Sequence, residues 1–133
     1  MPLPWEKDAP AFGFSPPSGK SWLPQPAVFG ELAADVQEGV EGSTLEMYRS
    51  ALALRRELHL GGRPDAPVEF SEGLPAGVLG VVRGGVTVLV NTTATDITLE
   101  GPLATSEVLV SSAPPASAGV VPPADATVWL RSA

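Results

Sequence analysis

A chain of 133 residues has room for one ordinary domain, or for a small domain and a fragment. Fifteen acidic against eight basic residues give a formal charge of -7, and the basic residues are scattered, which argues against a phosphate-binding, nucleic-acid role. There is no cysteine, so disulfides, thiolate nucleophiles and zinc–thiolate sites are excluded.

Hydrophobic residues make up 44% and charged residues 17%, a balance that supports a core and argues against disorder over the whole chain. No run approaches the roughly 18 apolar residues of a membrane span. Met1 is not followed by the basic flank and apolar stretch of a signal peptide. The expectation is a soluble, cytoplasmic protein with neither membrane nor nucleic acid as partner.

Residues 1–29 come first and are unusual. They hold five of the eight aromatic residues (Trp5, Phe12, Phe14, Trp22, Phe29) and seven of the fifteen prolines. Proline fixes φ and removes backbone donors, so the stretch is predicted to be an irregular arm, neither long helix nor central strand. It carries more apolar surface than a solvated linker and should lie on something, expected outside this chain. Residues 30–42 are acidic and contain Gly30 and Gly39. They read as a loop with one short turn.

Ser43-Thr44-Leu45-Glu46 has the capping-box pattern, in which the Ser hydroxyl accepts the Glu46 N–H and Glu46 reaches back. Leu45, Tyr48, Leu52 and Leu58, joined by Ala51 and Leu54, then follow helical spacing. A helix is predicted from about Thr44 to Leu58 or His59. Arg55 and Arg56 suit its negative end, and Gly61-Gly62 with Pro64 supply a stop. Its broad apolar stripe needs a partner surface.

Beyond Pro67 the pattern turns to β. Short strands are predicted at Val68–Phe70, Val78–Val82, Val86–Val90, Ile97–Leu99, Glu107–Val110, Gly119–Val121 and Ala126–Leu130. Gly84-Gly85 marks a hairpin, and Ser111–Ser117 reads as an exposed loop. Seven short antiparallel strands describe a small sandwich. The fold class is therefore mostly β with one helix, divided at residues 1–60 and 61–133.

Chemistry is sparse. His59 is the only histidine and sits at a helix end, where a capping or solvent role is the ordinary one. No Walker loop or dinucleotide fingerprint occurs. Glu6, Asp8, Glu69 and Glu72 are not placed as a facing catalytic pair. Trp5, Phe14 and Trp22 could stack on a sugar face, or pack against a neighbouring domain. Trp129 in the last strand is expected in the core. No catalytic residue, metal ligand or cofactor is assigned.

Pro2-Leu-Pro-Trp5, Ala11-Phe-Gly-Phe14, Ser21-Trp-Leu-Pro24, Val36-Gln37, Ser43–Arg49 and Leu52–Arg56 together resemble the C-terminal part of glycoside hydrolase family 13 α-glucosidases, of the oligo-1,6-glucosidase and trehalulose-synthase kind. The resemblance implies that the helix is the last of a (β/α)8 barrel, followed by an antiparallel sandwich of the domain C type. It implies a parent enzyme that cleaves α-glucosidic bonds by retention through paired carboxylates. Those carboxylates lie on barrel strands that would precede Met1, so this chain is expected to be inactive alone and supporting in role. Trp5 falls on a motif near the substrate-facing loops and is the one substrate-binding candidate. The implied partner is the rest of the barrel, with self-association as the substitute and an α-glucoside or oligosaccharide as possible ligand. A stand-alone carbohydrate-binding or interaction module is the competing expectation.

Overall fold

The computed structural model describes residues 2–62, 67–113 and 122–131. The chain divides into two compact units, Met1–Glu46 and Met47–Ala133.

The first unit folds its proline-rich arm back on itself. The Trp5 N–H donates to the Phe12 carbonyl at 2.8 Å, and the carbonyls of Pro4 and Trp5 accept from Ala34 and Asp35 at 3.2 and 3.1 Å. The Lys7 N–H is held by both Asp35 carboxylate oxygens, at 3.1 and 3.0 Å. The expected single turn in residues 30–42 is a 3-10 helix at Ala27–Leu32 followed by α1, Ala34–Gln37. Ala33 between them is fully buried. The backbone of the arm thus finds its partners in the same unit, while the aromatic side chains for which an outside surface was expected, Trp5, Phe14 and Trp22, stay exposed. Backbone groups left without partners beside the prolines are met by the first turn of α1, whose own N–H groups lack intrahelical partners. A second 3-10 segment, Pro10–Gly13, contains Ala11 and Phe12 at φ 52° and 51°. Left-handed residues with side chains cost about 1–2 kcal/mol each, so the turn is held by its surroundings. One such restraint is the Phe12 ring, against which a Cβ on Gly30 would stand 3.1 Å away.

Helix α2, Thr44–Glu57, forms as the apolar spacing predicts. Ser43 Oγ accepts the Glu46 N–H at 3.2 Å, and Glu46 Oε1 accepts from Gly39 at 3.0 Å. Gln37 Oε1 adds a cap on the Leu45 N–H at 3.0 Å. The stop is not the predicted glycine pair. Leu60 N–H donates to Arg55 O at 3.0 Å and His59 N–H to Arg56 O at 3.1 Å, a Schellman closure with His59 in the left-handed position at φ 52°. Pro64, the other part of the predicted stop, lies outside the described residues. His59→Gly is expected to stabilise the protein by about 1 kcal/mol, because glycine removes the Cβ penalty at that φ. A urea midpoint that falls on this substitution would contradict the strain at His59.

The second unit is built on one five-stranded antiparallel sheet. Its strands are β1 (Glu69–Phe70), β2 (Val78–Arg83), β3 (Val86–Asn91), β4 (Glu107–Ser111) and β5 (Thr127–Arg131), in spatial order β1-β2-β3-β5-β4. The β2–β3 hairpin turns on Gly84 and Gly85 at φ 58° and 79°, the conformation that Gly-Gly supplies without strain. The last strand is inserted between β3 and β4, pairing Leu89 with Val128 and Val108 with Leu130.

Alternation divides the sheet's two faces. Leu89, Val128 and Leu130 share one face and are buried with Leu99, against Leu74, Ile97, Leu103 and Ala104. Ile97–Leu99 was expected as a strand; it crosses this core face without joining the ladder. The Ile97 N–H donates to Pro122 O at 3.1 Å, and Leu99 is 5% exposed. Burial consumed the apolar run, and Gly101-Pro102 turns it into a 3-10 helix at Gly101–Thr105. The expected strand at Gly119–Val121, and residues 114–117 of the expected loop, lie outside the described residues. The mostly β antiparallel class, with α2 preceding it, is as the sequence predicts. Gly80 in β2 has no room for a side chain: a Cβ there would be 2.6 Å from Leu74 Cδ1 and 2.7 Å from Ser71 Cβ.

Candidate functional site

The sequence candidates fall in the first unit. Trp5 is pinned by its backbone on both sides, and its side chain is 52% exposed. Phe14 is half exposed. Trp22 is 95% exposed, presented on a turn that Ser21 closes by donating to Leu23 O at 2.6 Å. The fold therefore fixes the backbone of the arm and leaves large aromatic faces uncovered.

Among the described residues the carboxylates do not assemble into a site. Asp35 serves the Lys7 N–H, Asp96 accepts from Ala124 at 3.0 Å, and Glu107 pairs with Arg131 at 2.7 Å. Glu69 stands on the edge strand β1. Glu72 and Glu100 line a cavity of about 470 Å³ whose other walls include Leu74, Pro75 and Leu103. Among the described residues, no group of three or more His, Cys, Asp or Glu side chains could hold a metal ion. Nor is any of their helices long and apolar enough to cross a membrane.

The second unit holds what sequence reasoning missed. Trp129 was expected in the core. Its strand neighbours Val128 and Leu130 are buried there, and the period of two turns Trp129 to the other face, half-buried. On that face α2 stands near the sheet. A cavity of about 260 Å³ is lined by Met47, Tyr48 and Ala51 of α2 together with Val110, Thr127 and Trp129. A second cavity, about 210 Å³, is lined by Arg55 and Arg83 with Val81, Val88 and again Trp129. The signal was present in the strand alternation around Trp129; what it faced was not.

These features define a class: an antiparallel β domain preceded by a helix and an aromatic, proline-rich arm. No family model matches the chain, and neither does any curated protein. Solved structures do share the fold. MutB in complex with glucose superposes with a TM-score of 0.73 at 22% identity, over 98% of this chain and 25% of that one. Isomaltulose synthase from Klebsiella sp. LX3 gives 0.69 at 21% identity, over 96% and 24%. Trehalose-6-phosphate hydrolase from Bacillus licheniformis gives 0.66 at 17% identity, over 98% and 25%. These are glycoside hydrolase family 13 enzymes, and the chain has the fold of a C-terminal part of them. It spans about a quarter of their length.

Proposed function

We propose that this chain is the C-terminal part of an α-glucosidase of glycoside hydrolase family 13, acting on α-glucosidic bonds in oligosaccharides, and that its own contribution is support for the catalytic domain. The observation that carries this reading is the asymmetry of the likeness: nearly all of this chain, a quarter of the enzymes. The motif order from Pro2 to Arg56 favours the same placement. On this reading residues 1–60 close the barrel, residues 61–133 form the β-sandwich beside it, and Trp5 shapes the mouth of the pocket. Helix α2 has no buried residue in its fourteen, with Leu52 49% exposed, which suits a helix whose other neighbours lie in the rest of the barrel.

Alone, the chain is expected to be inactive on a nitrophenyl α-glucoside and to self-associate through α2 in light scattering. Supplied with a polypeptide carrying the rest of the barrel, it is expected to restore hydrolysis. Hydrolysis by the chain alone, with contamination excluded, would sink the reading. So would full activity of the folded barrel portion without this chain.

The exposure of Trp22 favours a second reading, a stand-alone carbohydrate-binding module. It requires retention on glucan in affinity electrophoresis and loss of that retention in Trp22→Ala.

A further inference from the structure

Three groups around the cavity between α2 and the sheet are chemically uncommitted. The Tyr48 hydroxyl, the Thr127 hydroxyl and the Trp129 indole N–H have no hydrogen-bond partner among the described residues. The rest of the lining is Met47, Ala51 and Val110 with Ser111 and Ser112, and holds no charged side chain; Ser111 Oγ donates to Ala113 O at 2.6 Å and Ser112 Oγ accepts the Thr127 N–H at 2.8 Å. At about 260 Å³ the space falls just below the roughly 300 Å³ at which drug-sized pockets begin. Trp129 also borders a second cavity, so this large ring has open space on two sides.

The chemistry selects the ligand. A charged ligand finds no countercharge in the lining. A purely apolar ligand would leave the Tyr48, Thr127 and Trp129 polar groups unpaired as it excluded water. A pyranose ring meets both demands, with a C–H face for the two aromatic side chains and an equatorial rim of hydroxyls for the three polar groups. We propose that this cavity binds a single pyranose unit of a neutral α-glucoside, held against Tyr48 and Trp129. The choice of α-glucoside rests on the functional reading above; the site itself rests on the cavity and its lining. It is separate from Trp5, Phe14 and Trp22, which belong to the other unit.

Titration of the full chain with maltose, followed by tryptophan fluorescence, tests it, with glycerol as the control for solvent effects. A saturable change is expected with maltose only. Tyr48→Ala, at an exposed position that leaves the circular dichroism spectrum unchanged, is expected to weaken binding about tenfold. Tyr48→Phe should weaken it less, and Trp22→Ala should leave it intact. A linear response shared with glycerol, an unchanged affinity in Tyr48→Ala, or abolition by Trp22→Ala overturns the site. Restored hydrolysis with the missing barrel does not depend on any of these outcomes, so the parent reading and this site fail separately.

Discussion

Asn91→Ala is expected to lower the unfolding free energy by about 3–5 kcal/mol. Asn91 ends β3 and is 1% exposed. The two N–H of its amide are shared among the carbonyls of Thr95, Pro122 and Pro123, at nitrogen–oxygen distances of 2.8, 3.1 and 2.9 Å. Its Oδ1 accepts from the Thr93 N–H and hydroxyl at 2.9 and 2.8 Å. One side chain therefore ties the turn after β3 to the segment leading into β5. Removing it leaves several backbone groups short of partners, each costing about 1–3 kcal/mol where water cannot reach. Urea denaturation should show a lower midpoint at unchanged slope, and thermal unfolding a drop of about 15 °C or more. Asn91→Asp keeps the shape and removes the donors, so it should cost at least as much. A loss below about 1 kcal/mol in both variants would mean that water replaces the network.

Leu130→Ala should cost about 2–5 kcal/mol by the same measurement, through the cavity it opens. Leu130 is fully buried in β5, between Thr87 of β3 and Val108 of β4 in the register. Leu89 and Val128 of the same cluster sit on paired strands and cannot follow the deleted atoms without moving them. Leu52→Ala, the same deletion at a position 49% exposed on α2, serves as the control and should cost under about 1 kcal/mol. Equal losses at the two positions would place the core elsewhere than on the Leu89 face.

Local signals in this chain were legible wherever a single stretch decides its own conformation. The spacing of Leu45, Tyr48 and Leu52 predicts α2, and Ser43 caps it as the pattern requires. Gly84-Gly85 predicts the hairpin because no other pair adopts two positive φ values so cheaply. Where two alternatives have the same local appearance, the sequence was silent. His59 and Gly61 both stand near the end of α2, and the Schellman geometry selects His59. Ile97–Leu99 reads as a strand, yet its side chains are needed over the core face, and burial outweighs β-propensity.

The candidate site divides in the same way. That Trp5, Phe14 and Trp22 carry exposed aromatic surface followed from their prolines and their position in the arm. That the arm's backbone is held by Ala34 and Asp35 did not, because those bonds join residues far apart in the chain, Lys7 and Asp35 being 28 positions from each other. By itself the sequence determined the helix, the hairpin, the antiparallel β class and the aromatic arm. All of these depend on periodicity, turn chemistry and proline, which act within a few residues. Only the tertiary structure decided the insertion of β5 between β3 and β4, the anchorage of the Asn91 side chain, and the seating of Trp129 beside Tyr48. Each of those depends on which strand lies beside which, a choice made by the whole sheet and written in no single segment.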